Sequence, residues 1–134
     1  MATARLLAML LVQNPGQFQV IVTNNLFGDI ITDIGGALQG GLGMAASANL
    51  HPGRTSMFEP VHGSAPPLAG KDVANPIGAI LSAALMLEYL GPFNEAHRIE
   101  QAVEAAVQVG ETTRDVGGGL GTRAAGDSIL RRLQ

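Results

Sequence analysis

The sequence predicts an α/β protein in which several helices pack on a small sheet. Short runs of β-branched and aromatic residues, Val20-Ile-Val-Thr23 and Ser56-Met-Phe-Glu59, read as strands. Longer stretches, whose apolar residues recur every three or four positions, read as helices and account for most of the chain. At 134 residues there is room for one compact unit, residues 1–134, with a real core.

Taken in order, Ala2 to Gln13 is a helix by composition, and Asn14-Pro15-Gly16 stops it. Its run Leu6-Leu-Ala-Met-Leu-Leu-Val12 follows a lone Arg5 and lacks the basic leader and small-residue cleavage site of a signal peptide. It is also far short of the ~20 residues that span a bilayer. Gln19 to Thr23 is the expected first strand. Leu26 to Gln39 is a second helix with Ile30, Ile31, Ile34 and Leu38 on its apolar side, weakened mid-way by Gly35-Gly36.

Gly40 to Gly53 reads as a glycine- and alanine-rich packing segment followed by a loop. Ser56 to Glu59 is the expected second strand. Pro60 to Asn75 is a long loop, and loops of that length in a compact unit tend to carry function. Asn75 then caps a helix with Pro76 at its first position, running to Leu90 with Ile77, Ile80, Leu81, Ala84, Leu85 and Leu87 inward. Pro92 to Val109 is a more polar helix with His97, Ile99, Val103 and Val107 at helical spacing. A glycine-rich loop, Thr112 to Gly121, leads to a last helix, Thr122 to Leu133. That helix carries Ile129 and Leu130 inward, with Arg131-Arg132 against its C-terminal dipole.

The apolar fraction is 46% and the charged fraction 14%, a low charge density that predicts apolar surface covered by a partner. A net charge of −3 with no basic cluster argues against nucleic acid, and no segment suits a membrane. With no cysteine there is neither a disulfide framework nor a thiolate metal site, which fits a cytoplasmic protein.

Chemistry gathers in two places. Asp29 and Asp33 stand four apart, so on a helix both carboxylates project from one face. A hard divalent cation, Mg²⁺ or Mn²⁺, would relieve their repulsion; the alternative is a solvated helix face. The second place is the Pro60–Asn75 loop.

Four motifs in order, Asn25-Leu-Phe-Gly-Asp-Ile-Ile-Thr-Asp33, Gly40-Gly-Leu-Gly-Met44, Phe58-Glu-Pro-Val-His-Gly-Ser-Ala-Pro66 and Ala74-Asn-Pro76, resemble the β-decarboxylating dehydrogenases, the isocitrate and isopropylmalate dehydrogenase family. The resemblance runs from end to end of the chain. It implies a C-terminal fragment of the isopropylmalate dehydrogenase-like fold. Residues 1–39 then match the end of the dimer-forming domain and 40–134 the C-terminal half of the cofactor domain. The implied parent reaction is NAD- and metal-dependent oxidative decarboxylation of a 2-hydroxy acid, as in leucine biosynthesis.

The resemblance makes Asp29 and Asp33 metal ligands and makes His62, Gly63, Ser64, Ala65 and Asn75 the NAD clamp. The chain has no Gly-x-Gly-x-x-Gly. A turn of backbone N–H groups suits a pyrophosphate, and His62 and Asn75 suit adenine. Three departures weaken the implied activity. Arg5 stands where the family has a third metal-ligating aspartate, supplied by the other subunit. Pro67 stands where an acidic residue usually reads the adenosine ribose. The family's catalytic lysine and tyrosine, and its substrate-binding arginines, lie upstream of the matched region; Lys71 and Tyr89 are in other positions. Both metal and NAD are therefore expected to bind weakly or not at all.

A reading from a different class uses His62 and Ser64, two apart in one turn, as a nucleophilic pair for weak ester hydrolysis, although no Gly-x-Ser-x-Gly elbow surrounds Ser64. A third is a non-catalytic remnant. In each case the chain is expected to form a homo-oligomer, most simply a dimer, through the apolar faces of Leu6, Leu10, Ile30, Ile34 and Leu38.

Overall fold

A computed structural model describes residues 3–134. Helix α1 (Ala4–Gln13) begins where the Thr3 side chain accepts from Leu6 N, and it turns back at Pro15–Gln17 into α2 (Asn25–Leu38), capped by the Asn24 side chain on Phe27 N. A hairpin follows, β1 (Ala46–Asn49) and β2 (Met57–Pro60), then α3 (Ile77–Leu90), α4 (Phe93–Gln108) and α5 (Thr122–Leu133). The start expected at Ala2 lies outside the described residues.

The strands pair antiparallel, with Ala46 opposite Pro60 and Asn49 opposite Met57. Helix α3 lies on both strands, α4 packs on α3, and α5 packs on α4. The core is built from Ile77 of α3, Ala102, Val103 and Ala106 of α4 and Ile129 of α5, with Met44, Ile80, Leu81 and Leu133 around them. Three alanines or glycines bring backbones close: Ala84 and Ala106 are 1% and 0% exposed, and Gly78 N donates to Gly43 O at 2.8 Å. Helix α3 stops at Gly91, whose φ of +107° lets its N–H reach back to Leu87 and Glu88.

Several expectations are corrected. Gln19 to Thr23 is not a strand: among the described residues it pairs with no other strand, and Val20 and Val22 are 82% and 94% exposed. A strand needs a ladder, and high β-propensity alone does not supply one. The first true strand lies inside the stretch read as packing and loop, at Ala46–Asn49. Its residues are poor strand formers that pair because β2 and α3 cover them. The second strand is shifted one residue, to Met57–Pro60. Leu130 faces outward at 55% exposure, because 3.6-residue periodicity puts Ala125, Ser128 and Ile129 inward instead. The weakening expected at Gly35-Gly36 leaves α2 continuous to Leu38. Gly36 is buried, and a Cβ there would stand 3.1 Å from Leu42 Cδ2.

Helices α1 and α2 pack on each other as a hairpin, and α1 contributes no buried residue. Leu6, Met9, Leu26, Ile30 and Leu38 are all exposed. Leu10 and Ile34 are half-buried. Among the described residues no helix is long and apolar enough to cross a membrane.

Candidate functional site

The Pro60–Asn75 segment leaves β2 and folds over the start of α3. It uses three left-handed residues, Ala65 (φ +42°), Gly70 (+73°) and Asp72 (+54°). Two of these are not glycine, an uncommon conformation that needs support from its surroundings. A short turn at Pro66–Leu68 is closed by Leu68 N on Ala65 O. Between this segment, the Leu42-Gly43 turn and the start of α5 lies a groove of about 680 Å³, within the size range of small-molecule and cofactor sites.

All five residues expected to hold a cofactor line this groove: His62, Gly63, Ser64, Ala65 and Asn75. His62 Nδ1 donates to Gly63 O at 2.9 Å, a tautomer that leaves Nε2 as an acceptor. Gly63 opens on free space, with nothing within 4 Å of where a Cβ would be. Asn75 is 9% exposed and largely committed to the protein. Its Oδ1 accepts from Ile77 N (2.9 Å), and its Nδ2 donates to Asp115 Oδ2 (3.0 Å) and Met44 Sδ (3.6 Å). Asn75 thus caps α3 as expected, with Pro76 at the cap position rather than the first helical one. One lone pair of its Oδ1 is left for a ligand.

Sequence reasoning missed Asp72, Asp115, Thr122 and Arg123, which also line the groove. Asp115 accepts from Thr113 Oγ1 (2.6 Å) and from Asn75, 40 residues away. Asp72 Oδ1 accepts from Arg123 N (3.0 Å), and Thr122 Oγ1 donates to Ala74 O (2.5 Å). Apart from Thr113–Asp115, no local spacing links these pairs. The only hint was that Asp72 follows Gly70-Lys71 in a turn. Gly43 stands where the two walls meet, and a Cβ there would fall 2.8 Å from both Asn75 Cβ and Asp115 Oδ2.

The other candidates lie elsewhere. Asp29 and Asp33 are exposed on α2, one turn apart, and Asn25 Nδ2 donates to Asp29 Oδ2 at 3.3 Å. Among the described residues no three His, Asp or Glu side chains come together to hold a metal. The pair therefore fits as two ligands of a larger set and not as a complete metal site. Arg5 is exposed, and among the described residues it forms no ion pair with either aspartate. Pro67 sits in the Pro66–Leu68 turn and does not line the groove. Lys71 and Tyr89 do not line it either; the Tyr89 ring packs on Phe58, centroids 5.7 Å apart. His62 and Ser64 share the groove, but among the described residues no hydrogen bond joins them. His51 donates its backbone N–H to Ser56 Oγ, and His97 Nδ1 lies 3.6 Å from Glu100 Oε2 on exposed α4.

The fold and site define a class: a small α/β unit whose sheet-to-helix loop walls a groove of small-molecule size, in a sequence without the Rossmann glycine signature. The isocitrate/isopropylmalate dehydrogenase profile matches residues 5–129, so the chain belongs to that family. The isocitrate/homoisocitrate dehydrogenase of Thermus thermophilus is 50% identical over 127 residues, covering 95% of this chain and 38% of its own length. The 3-isopropylmalate dehydrogenase of Anaeromyxobacter dehalogenans is 50% identical over 94% of this chain and 36% of its own length. The crystal structure of isocitrate dehydrogenase from Methylococcus capsulatus superposes with a TM-score of 0.91 at 41% identity, over 97% of this chain and 39% of that one. The chain thus spans under two fifths of the length of these relatives.

Proposed function

We propose that this chain supplies the dinucleotide-binding part of an NAD-dependent β-decarboxylating dehydrogenase acting on a 2-hydroxy acid. One observation carries the reading: the five residues of the His62–Ala65 turn and Asn75, expected from motif alone, line one groove of cofactor size. The groove fits the group. Gly63 leaves open space for a pyrophosphate against the turn's backbone, and His62 Nε2, which has no partner among the described residues, can accept from an adenine amino group. The nicotinamide ring, when bound, accepts a hydride from the substrate.

The chain's own residues bind and orient; they do not move protons. Neither Lys71 nor Tyr89 lines the groove, and general acid–base catalysis needs a group within hydrogen-bond reach of the reacting atoms. Asp29 and Asp33 would hold a divalent cation only with a further ligand, since among the described residues no third His, Asp or Glu joins them. The chain by itself therefore binds nucleotide without turning over a hydroxy acid. Assembly as a homo-oligomer, most simply a dimer through the α1–α2 hairpin, belongs to the same proposal and is supported by its exposed apolar face. A cysteine-free sequence favours the cytoplasm.

Saturation-transfer NMR with NAD tests the binding. Transfer to the adenine protons that is lost in His62→Ala supports the reading. NADH formation from isopropylmalate or isocitrate by the purified chain, followed at 340 nm, would overturn the division of labour.

A further inference from the structure

We propose that Asp72 is a positioning residue that ties the groove-forming loop to helix α5 and so sets the shape of the nucleotide site; this rests on the nucleotide reading above. Four observations meet at this residue. Its backbone is left-handed (φ +54°), a conformation uncommon outside glycine that aspartate tolerates better than most residues. Its Oδ1 accepts from Arg123 N at 3.0 Å, so a side chain 51 residues away does what the α5 cap residue, Gly121, cannot. Its carbonyl accepts from Thr122 N at 3.1 Å, and Thr122 Oγ1 returns a bond to Ala74 O. Gly121 leaves the space the carboxylate occupies: a Cβ there would stand 2.2 Å from Asp72 Oδ2.

Residues 72–74 are thereby fixed to α5, while residue 75 is fixed to α3 and to Asp115. The segment from Pro60 to Lys71 has few bonds of its own to other elements, and among the described residues its far end is held through Asp72. Removing the carboxylate leaves the bonds from Thr122 to the Asp72 and Ala74 carbonyls but loosens that end, and a ligand must then order the loop as it binds. Ordering one or two side chains and their backbone lowers affinity by about tenfold. Asparagine keeps the acceptor oxygen and tolerates the left-handed conformation.

The test compares wild type, Asp72→Ala and Asp72→Asn. Affinity for ADP-ribose is followed by ¹⁵N chemical shifts, with thermal melting and amide exchange measured in parallel. The expected result is a folded Asp72→Ala protein with about tenfold weaker ADP-ribose binding, lost protection at Arg123 N and shifted His62–Ala65 resonances. Asp72→Asn should stay within about threefold of wild type. A merely structural role would lower the melting temperature and leave affinity, measured well below the melt, unchanged; that result overturns the proposal. If wild type itself does not bind ADP-ribose, the nucleotide reading fails. The positioning claim is then judged on the His62–Ala65 resonances alone, and it falls if Asp72→Ala leaves them in place.

Discussion

Replacing Asn75 by alanine tests how the groove is built. Three bonds are lost together: Ile77 N to Oδ1 at 2.9 Å, Nδ2 to Asp115 at 3.0 Å, and the long contact to Met44 Sδ at 3.6 Å. The first is a helix cap on a fully buried residue, and losing such a cap costs about 1 kcal/mol. The second leaves Asp115 with Thr113 and water, so its loss is held to about 1 kcal/mol. The sulfur contact adds little. The sum, about 2 kcal/mol, corresponds to a fall in Tm of roughly 6–10 °C for a chain of this size. Thermal unfolding by circular dichroism measures it. A fall under about 2 °C would show that Asn75 does not hold α3 and the Asp115 loop together. Asn75→Asp sharpens the test. It keeps the acceptor for Ile77 N but sets a second carboxylate against Asp115 Oδ2. Protonation relieves that repulsion, so this variant should be closest to wild type in acid and lose ground as pH rises.

Other consequences follow from the same structure. The bonds from Ser128, then from Arg132, hold the Glu111 carboxyl below its ordinary 4.5. A lowered folded-state pKa gives stability that is present above 4.5 and lost as pH falls below it, so Glu111→Gln should flatten the acid side of a Tm-against-pH curve; an unchanged slope would remove Glu111 from that account. Gly121→Ala drives a methyl into Asp72 and should cost about 1–3 kcal/mol in urea unfolding, together with weaker nucleotide binding. At micromolar concentration the chain should sediment as a dimer, and Leu6→Glu with Ile30→Glu should shift it to monomer; a monomeric wild type would refute the hairpin as an interface. Purified chain should hydrolyse p-nitrophenyl acetate no faster than buffer does, since among the described residues no hydrogen bond joins His62 to Ser64; esterase activity abolished by Ser64→Ala would restore the nucleophile reading.

Much of the C-terminal part was legible because its signals are local. The apolar spacing of Ile77 to Leu87 and the Asn75 cap define α3 to within one residue, and Thr122 to Leu133 was read at its observed bounds. Strands were the weak point, since pairing is not local. Gln19–Thr23 has β-branched residues and no strand partner among the described residues, whereas Ala46–Asn49 has poor propensity and a partner in β2. The site divided the same way. His62 to Ala65 is a contiguous motif and could be read. Asp72 and Asp115 act on residues 51 and 40 positions away, and only the folded chain brings those pairs together.

Whether the His62–Ala65 turn and Asn75 form one nucleotide site, as proposed, is decided by ligand titration. Titrating ¹⁵N-labelled chain with ADP-ribose tests it most directly. Saturable shifts at millimolar ligand, corresponding to about −4 kcal/mol, should appear at His62, Gly63, Ser64, Ala65 and Asn75 and leave α1 and α2 unmoved. No shift at that concentration, or shifts centred on the α1–α2 hairpin, would contradict it.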